Sequence, residues 1–140
     1  MARRNPARWR ALEARLGRET TIWVATVRAN GRPHLTPVWY VWMEGLVYIA
    51  IESDSQKFAN LQANQAVALA LPDTDKVILI EGEAHAAGRA LADKLGEHFF
   101  NKYEWDFRYD DTAAWQLVEI TPRKILAWGD DHAADGLRVL

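Results

Sequence analysis

The sequence predicts a mainly β protein: a six-stranded antiparallel β-barrel with flanking helices, formed by residues 1–140 as a single domain. Short runs rich in β-branched and aromatic residues alternate with turn signals such as Asn30-Gly31 and Glu44-Gly45. Amphipathic helical patterns are inserted between those runs. Apolar residues make up 49 % of the chain and charged residues 26 %, as in globular domains. Short strands, tight turns and outer helices together favour a barrel.

The first half of the chain predicts one helix and three strands. Trp9, Leu12 and Leu16 recur at helical spacing, and Pro6 suits a first turn, so we expect a helix over 6–16. The strands are expected at 20–29, 32–43 and 46–51, joined by the two turns already named.

The second half predicts two helices and four shorter strand segments. Ser55 suits the N-cap of a helix over 56–64, and a β-bulge is expected near Gly82. Pro122 cannot donate to a ladder, so it should divide the last strand in two. The expected elements are strands at 66–71, 76–86, 115–121 and 124–128, and a second main helix at 89–101.

Composition excludes several classes of protein. The absence of cysteine excludes disulfides and thiolate chemistry, and the four histidines show no metal-ligand spacing, so no metal site is expected. A net charge of −2 gives no basis for binding nucleic acid. No apolar run approaches the roughly 20 residues of a membrane helix, and no signal peptide is visible. The expectation is a cytoplasmic protein that binds neither nucleic acid nor membrane.

A phosphate-binding site is the one chemical feature that the residues indicate. Ser53, Ser55 and Lys57 surround the start of the helix expected at 56–64. Helix N-termini carry unpaired N–H donors and a partial positive charge, and lysine adds a full point charge. Taken alone, the pattern also fits an N-cap beside a surface lysine. No nucleophile elbow, P-loop or dinucleotide-binding glycine motif occurs.

The order of these segments resembles the flavin-binding split barrels related to pyridoxamine 5′-phosphate oxidase. The opening hairpin at 24–34, the Thr36-Pro37-Val38-Trp39-Tyr40 strand and the Ser-Gln-Lys-Phe-Ala-Asn-Leu helix start at 55–61 carry the likeness. Strands at 67–71 and 80–84 and the closing strand at 120–128 follow in the same order. The resemblance implies a six-stranded split β-barrel of the FMN-binding type.

The resemblance also implies roles for residues in the cofactor site. Ser55 and Lys57 would contact the FMN phosphate, with Ser53 close by. Thr36, Pro37, Val38 and Trp39 would contact the isoalloxazine, largely through backbone groups. Trp128 would meet the flavin of a partner subunit, because the family is generally homodimeric with its cofactors in the interface. The catalytic residues stay unknown.

Two departures widen the choice of function. The family's substrate-binding Arg-Leu-His-Asp-Arg type segment is missing from the tail, and Val77 stands where those enzymes place a flavin-contacting glutamine. The expected activity is therefore hydride or electron transfer between FMN and a different small-molecule substrate. The Ser-Gln-Lys-x-x-Asn-Leu start also resembles the branch that uses the deazaflavin coenzyme F-420. A flavin- or tetrapyrrole-binding protein without turnover is the third alternative.

Overall fold

A computed structural model describes residues 6–129 and 137–138, with the side chains of 6–129. Three α-helices and eight strands lie in these ranges, together with a 3₁₀ turn at Phe107–Tyr109. The helices are α1 (Pro6–Arg18), α2 (Gln56–Ala63) and α3 (Arg89–Tyr103). The strands are β1 (Thr21–Val27), β2 (Pro33–Trp39), β3 (Val41–Met43), β4 (Leu46–Glu52), β5 (Ala66–Ala70), β6 (Lys76–Ala86), β7 (Trp115–Gly129) and β8 (Leu137–Arg138).

All strands belong to one antiparallel sheet that curls into a split barrel. The order is β2-β1-β5-β6-β7-β4-β3, and β8 pairs with β7. The first and last strands of this path follow each other in the chain, with only Tyr40 between them. The sheet therefore closes through a covalent connection rather than through a ladder between β2 and β3. The predicted fold class is confirmed, with eight strands in the described residues instead of six.

The strand expected at 32–43 is interrupted at Tyr40, where side chains of α3 replace the ladder. The hydroxyl of Tyr103 accepts the Tyr40 N–H at 2.9 Å and lies 2.6 Å from the Tyr40 carbonyl oxygen. The same hydroxyl lies 2.8 Å from the carbonyl oxygen of Thr20, and Lys102 Nζ donates to that of Tyr40 at 3.0 Å. The Tyr103 hydroxyl has one proton for the two carbonyl oxygens, so Lys102 supplies the second donor. We call this contact the seam.

The predicted division of the last strand at Pro122 is wrong, because β7 runs unbroken from Trp115 to Gly129. Glu81 pairs with Lys124 while Gly82 pairs with Pro122, so one extra residue of β7 lies in a bulge. The bulge tolerates a residue without an N–H. A Cβ on Gly82 would lie 2.4 Å from the Thr121 carbonyl oxygen, which explains glycine there. The bulge predicted near Gly82 is confirmed.

Two apolar cores lie on opposite faces of the sheet. The larger core fills the barrel, and α1 contributes Trp9, Leu12 and Leu16 to it. The smaller core packs Leu95 and Phe99 of α3 against the outer face of β3, β4 and the first part of β7. Consequently α3 covers the outer surface of the barrel at β3, β4 and the first part of β7.

A buried amide positions α2 at one side of the barrel. Asn60, 2 % exposed, donates to the hydroxyl of Thr26 on β1 at 2.9 Å and accepts from Gln56 at 2.7 Å. Ser55 caps the helix by accepting the N–H of Phe58, as predicted. The asparagine of the Ser-Gln-Lys-x-x-Asn-Leu segment is therefore structural, and it fixes where Ser55 and Lys57 lie.

The seam predicts a specific cost for Tyr103→Phe, which keeps the ring and removes the hydroxyl. The Tyr40 N–H then loses its partner at a part-buried position, so the free energy of unfolding should fall by about 1–3 kcal/mol. Urea denaturation followed by circular dichroism measures this change. Tyr109→Phe is the matched control, because Tyr109 is 79 % exposed and should tolerate the change. Equal effects of the two substitutions would show that the hydroxyl does not hold the seam.

Asn60→Leu should destabilise the protein by about 1–3 kcal/mol, because the buried hydroxyl of Thr26 loses its donor. Adding Thr26→Val removes the hydroxyl that has lost its donor. The double variant should therefore lose less free energy of unfolding than the two single variants lose together. Thermal unfolding of the wild type, the two single variants and the double variant completes the double-mutant cycle. Asn101→Leu, at an exposed position on α3, is the control. Strictly additive effects would show that the two side chains are not coupled.

Candidate functional site

An aromatic-walled cleft of about 430 Å³ opens where β2, β4 and the start of α2 meet the segment after α3. Clefts that bind small molecules have this size and a mostly apolar lining with few polar groups. The residues that line it are Val38, Trp39, Ala50, Ile51, Glu52, Ser55, Lys57, Trp105, Asp110 and Trp115. We call it the main cleft.

Four of the eight residues predicted for the cofactor site line the main cleft: Val38, Trp39, Ser55 and Lys57. Thr36 lies on the same half-buried face of β2 as Val38, whereas Pro37 is exposed on the opposite face. Ser53 does not line the cleft; its backbone N–H and its hydroxyl both donate to the Ala114 carbonyl oxygen, at 2.8 and 3.0 Å.

Trp128 lies apart from the main cleft in the same chain. It lines a groove of about 310 Å³ between α1 and the ends of β6 and β7. A single subunit therefore does not bring Trp128 to Lys57. The predicted contact of Trp128 with a flavin stays a prediction that requires a second subunit.

A positively charged corner lies at the α2 end of the site. Lys57 is half-buried and forms no ion pair with any acid in the described residues. Burial, and then the charges of Arg28 and Lys57, hold the pKa of His34 below its ordinary value. His34 Nδ1 and Thr36 Oγ1 are buried without a hydrogen-bond partner. Two unpaired polar atoms beside two cations are what an anionic, hydrogen-bonding ligand would satisfy.

Sequence reasoning missed Arg28 and His34 as members of this corner. The signal was present in the alternation of β2, because His34, Thr36 and Val38 must share a face. The Asn30-Gly31 hairpin then places Thr26 opposite His34, with Arg28 two residues farther along the chain, just after the end of β1. Applying the period-2 rule to the hairpin would have identified both residues.

The opposite wall of the main cleft is aromatic and held rigidly. Trp39 stacks on Tyr103 with ring centroids 4.6 Å apart and planes 5° apart. Trp105 meets Trp39 and Trp115 edge to face at 5.9 and 5.0 Å. Hydrogen bonds from Thr112 and Trp105 lower the pKa of Asp110 to about 2. Trp115 Nε1 also lies near that carboxylate, without reaching full hydrogen-bond geometry.

Part of the outer face of the barrel that α3 leaves uncovered is apolar. Cross-strand pairing aligns one row of five residues across β2, β1, β5, β6 and β7: Pro37, Trp23, Ala70, Leu79 and Leu126. Trp23 is 37 % exposed and Leu35, in the next row, is 60 % exposed. Trp39, opposite Thr21 on β1, and Trp128, opposite Val77 on β6, lie on the same face of the sheet. We call this surface the bare face; such a patch marks an interaction surface.

Comparisons with known proteins agree with this architecture. Residues 9–129 match the family described as pyridoxamine 5′-phosphate oxidase. A search of curated proteins returns no significant match. In the described residues, no helix combines the length and the hydrophobicity needed to cross a membrane.

Three solved structures share the fold at low sequence identity. A conserved hypothetical protein from Mycobacterium tuberculosis has a TM-score of 0.75 at 23 % identity, over 86 % of this chain and 83 % of its own. A protein titled F420 reductase has a TM-score of 0.68 at 22 % identity, over 81 % and 94 %. A heme binding protein from Mycobacterium smegmatis has a TM-score of 0.72 at 15 % identity, over 89 % and 56 %. The family match spans nearly the whole described barrel, and the chain therefore belongs to the pyridoxamine 5′-phosphate oxidase family.

Proposed function

We propose that this protein is an FMN-binding oxidoreductase that acts on a small substrate other than a vitamin B6 phosphate. The observation that supports the proposal most directly is the positively charged corner of Lys57 and Arg28, next to the unpaired atoms of His34 and Thr36; Lys57 itself lines the aromatic main cleft. Its charge and unpaired polar atoms suit a phosphate, and the neighbouring rings suit a flat heterocycle. Family membership adds that flavins are common cofactors of such proteins.

The residues of the site fit the two ends of FMN. Ser55 uses its oxygen to cap α2 and keeps its hydroxyl proton for an anion, while Lys57 has no competing acid partner among the described residues. His34 and Thr36 offer polar atoms that have no partner within the part of the chain that the structure describes. The ring would lie near Val38 and Trp39, where the edge strand β2 pairs with β1 alone and leaves backbone groups available on its other side. When bound, the flavin supplies the hydride chemistry.

The residues of the main cleft would orient the cofactor and keep water from it. The stack of Trp39 on Tyr103 would hold the Trp39 ring in place in the lining of the cleft. Trp105 and Trp115 close the wall opposite α2. No side chain in the cleft forms a nucleophile–base pair, which agrees with chemistry carried by a cofactor.

The proposed assembly is a two-fold homodimer that buries the bare face. Trp39 lies on β2 and Trp128 on β7, at opposite ends of the group of strands that form the bare face. A two-fold axis parallel to the strands exchanges these ends, so it would bring the partner's Trp128 towards the main cleft. A self-complementary patch is the usual basis of such dimers. Each cofactor site would then contain residues of both chains.

Lys57→Ala should weaken FMN binding roughly 10- to 150-fold, because a charge-assisted contact of about 1.5–3 kcal/mol is lost. Riboflavin has no phosphate, so its weaker binding should change less than about twofold. Titration followed by flavin fluorescence gives both affinities. Lys94→Ala is the control, since that lysine lies on α3 and pairs with Glu44 at 3.8 Å.

Three results of this titration would count against the proposal. Equal affinity of the wild-type protein for FMN and riboflavin would show that the protein has no site for the FMN phosphate. An unchanged FMN affinity of Lys57→Ala would show that Lys57 is an ordinary surface lysine. Tight binding of the deazaflavin coenzyme F-420 without binding of FMN would show that the cofactor is F-420 rather than FMN. The proposed reductase class would be unchanged.

Leu35→Glu should convert the dimer to a monomer at micromolar concentration, because it replaces an exposed apolar side chain of the bare face with a charge that the proposed dimer would have to bury. The same variant should bind FMN more weakly, since the partner's Trp128 is lost. Sedimentation equilibrium with and without FMN measures both effects. Phe100→Glu, at an apolar side chain 54 % exposed on α3, is the matched control. A wild-type monomer with FMN fully bound would contradict the shared site.

A further inference from the structure

A second groove lies beside the main cleft, on the other side of Trp105. Its volume is about 460 Å³, and it is lined by Phe100, Glu104, Trp105, Asp106, Tyr109 and Asp110. Trp105 and Asp110 line both cavities. A ligand in this groove, which we call the acidic groove, would therefore adjoin whatever occupies the main cleft.

The aromatic side chains of the acidic groove are available to a ligand. Phe100 is 54 % exposed and Tyr109 is 79 % exposed, so both rings present area to solvent, and the guanidinium of Arg108 lies 5.1 Å from the centroid of the Tyr109 ring. Trp105 is fixed by its hydrogen bond to Asp110 at 2.8 Å and by edge-to-face contact with Phe99 at 6.0 Å. A flat ligand would cover these rings with little loss of side-chain freedom.

The charge of the acidic groove is negative. Arg108 forms ion pairs with Asp106 at 2.6 Å and with Asp93 at 3.6 Å. Glu104 and Asp110 therefore have no paired cation in the described residues. Glu104 also ends α3, where the helix dipole adds negative potential. The positive corner of Arg28 and Lys57 belongs to the other end of the site. The two ends therefore differ in the sign of charge that they attract.

We propose that the acidic groove binds a planar organic cation, and that this is the substrate class of the neighbouring main cleft. The assignment as substrate rests on the proposed function, whereas the binding site itself does not. Aromatic rings attract cations over their faces, and the carboxylates of Glu104 and Asp110 add an attraction that a neutral or anionic ring lacks. An anionic substrate would be repelled from the same surface.

The test compares two flat probes of similar size and opposite charge, N-methylquinolinium and 1-naphthoate. Calorimetry and tryptophan fluorescence should show the cation binding roughly tenfold more tightly, with an affinity that falls as salt is added. Asp110→Asn keeps an acceptor for Trp105 and removes the charge, so it should weaken the cation roughly fivefold. Asp111→Asn, at the neighbouring exposed acid outside the groove, should change the affinity less than twofold.

The outcomes separate this proposal from the proposed function. Equal binding of the two probes, or equal effects of Asp110→Asn and Asp111→Asn, would overturn the cation site. If the cation binds to FMN-loaded protein without perturbing the flavin absorbance, the substrate role is wrong. If FMN does not bind while the cation does, the proposed function fails and the cation site stands.

Discussion

The structure depends on how the backbone of Tyr40 is satisfied. The two ends of the sheet path meet at this residue, so its N–H and carbonyl groups face no strand. Buried backbone groups without partners are costly, and α3 supplies them through Tyr103 and Lys102. That contact docks α3 against the barrel. It also fixes the ring on which Trp39 stacks, so closure of the barrel and the shape of the main cleft have one cause.

The candidate site is divided by charge. Its α2 end holds Lys57 close to Arg28 and His34, whereas its α3 end holds Asp110 and Glu104. The two ends come from segments far apart in the chain, brought together by β2 and β4 on one side and by the segment after α3 on the other. Under the proposals above, separation of this kind would let the main cleft attract an anionic cofactor and the acidic groove a cationic ligand without competition between them.

The abundance of tryptophan has several structural explanations rather than one. Trp9 and Trp42 meet edge to face 6.3 Å apart at the α1 end of the barrel core. Trp105 stands between the main cleft and the acidic groove. Trp23 and Trp39 belong to the bare face, where rings left outside the barrel present area for an interface.

Local patterns in the sequence determined the helices, the hairpins, the bulge at Gly82 and the cap at Ser55, because turn chemistry and periodicity act within a few residues. Four of the eight predicted site residues line the main cleft for the same reason, since they flank a strand and a helix start. Only the tertiary structure decided the interruption at Tyr40 and the continuity of β7 through Pro122. Both depend on which backbone groups remain unpaired after distant strands have closed the barrel. The lowered pKa of His34 likewise depends on the folded chain, through burial first and then through the charges of Arg28 and Lys57.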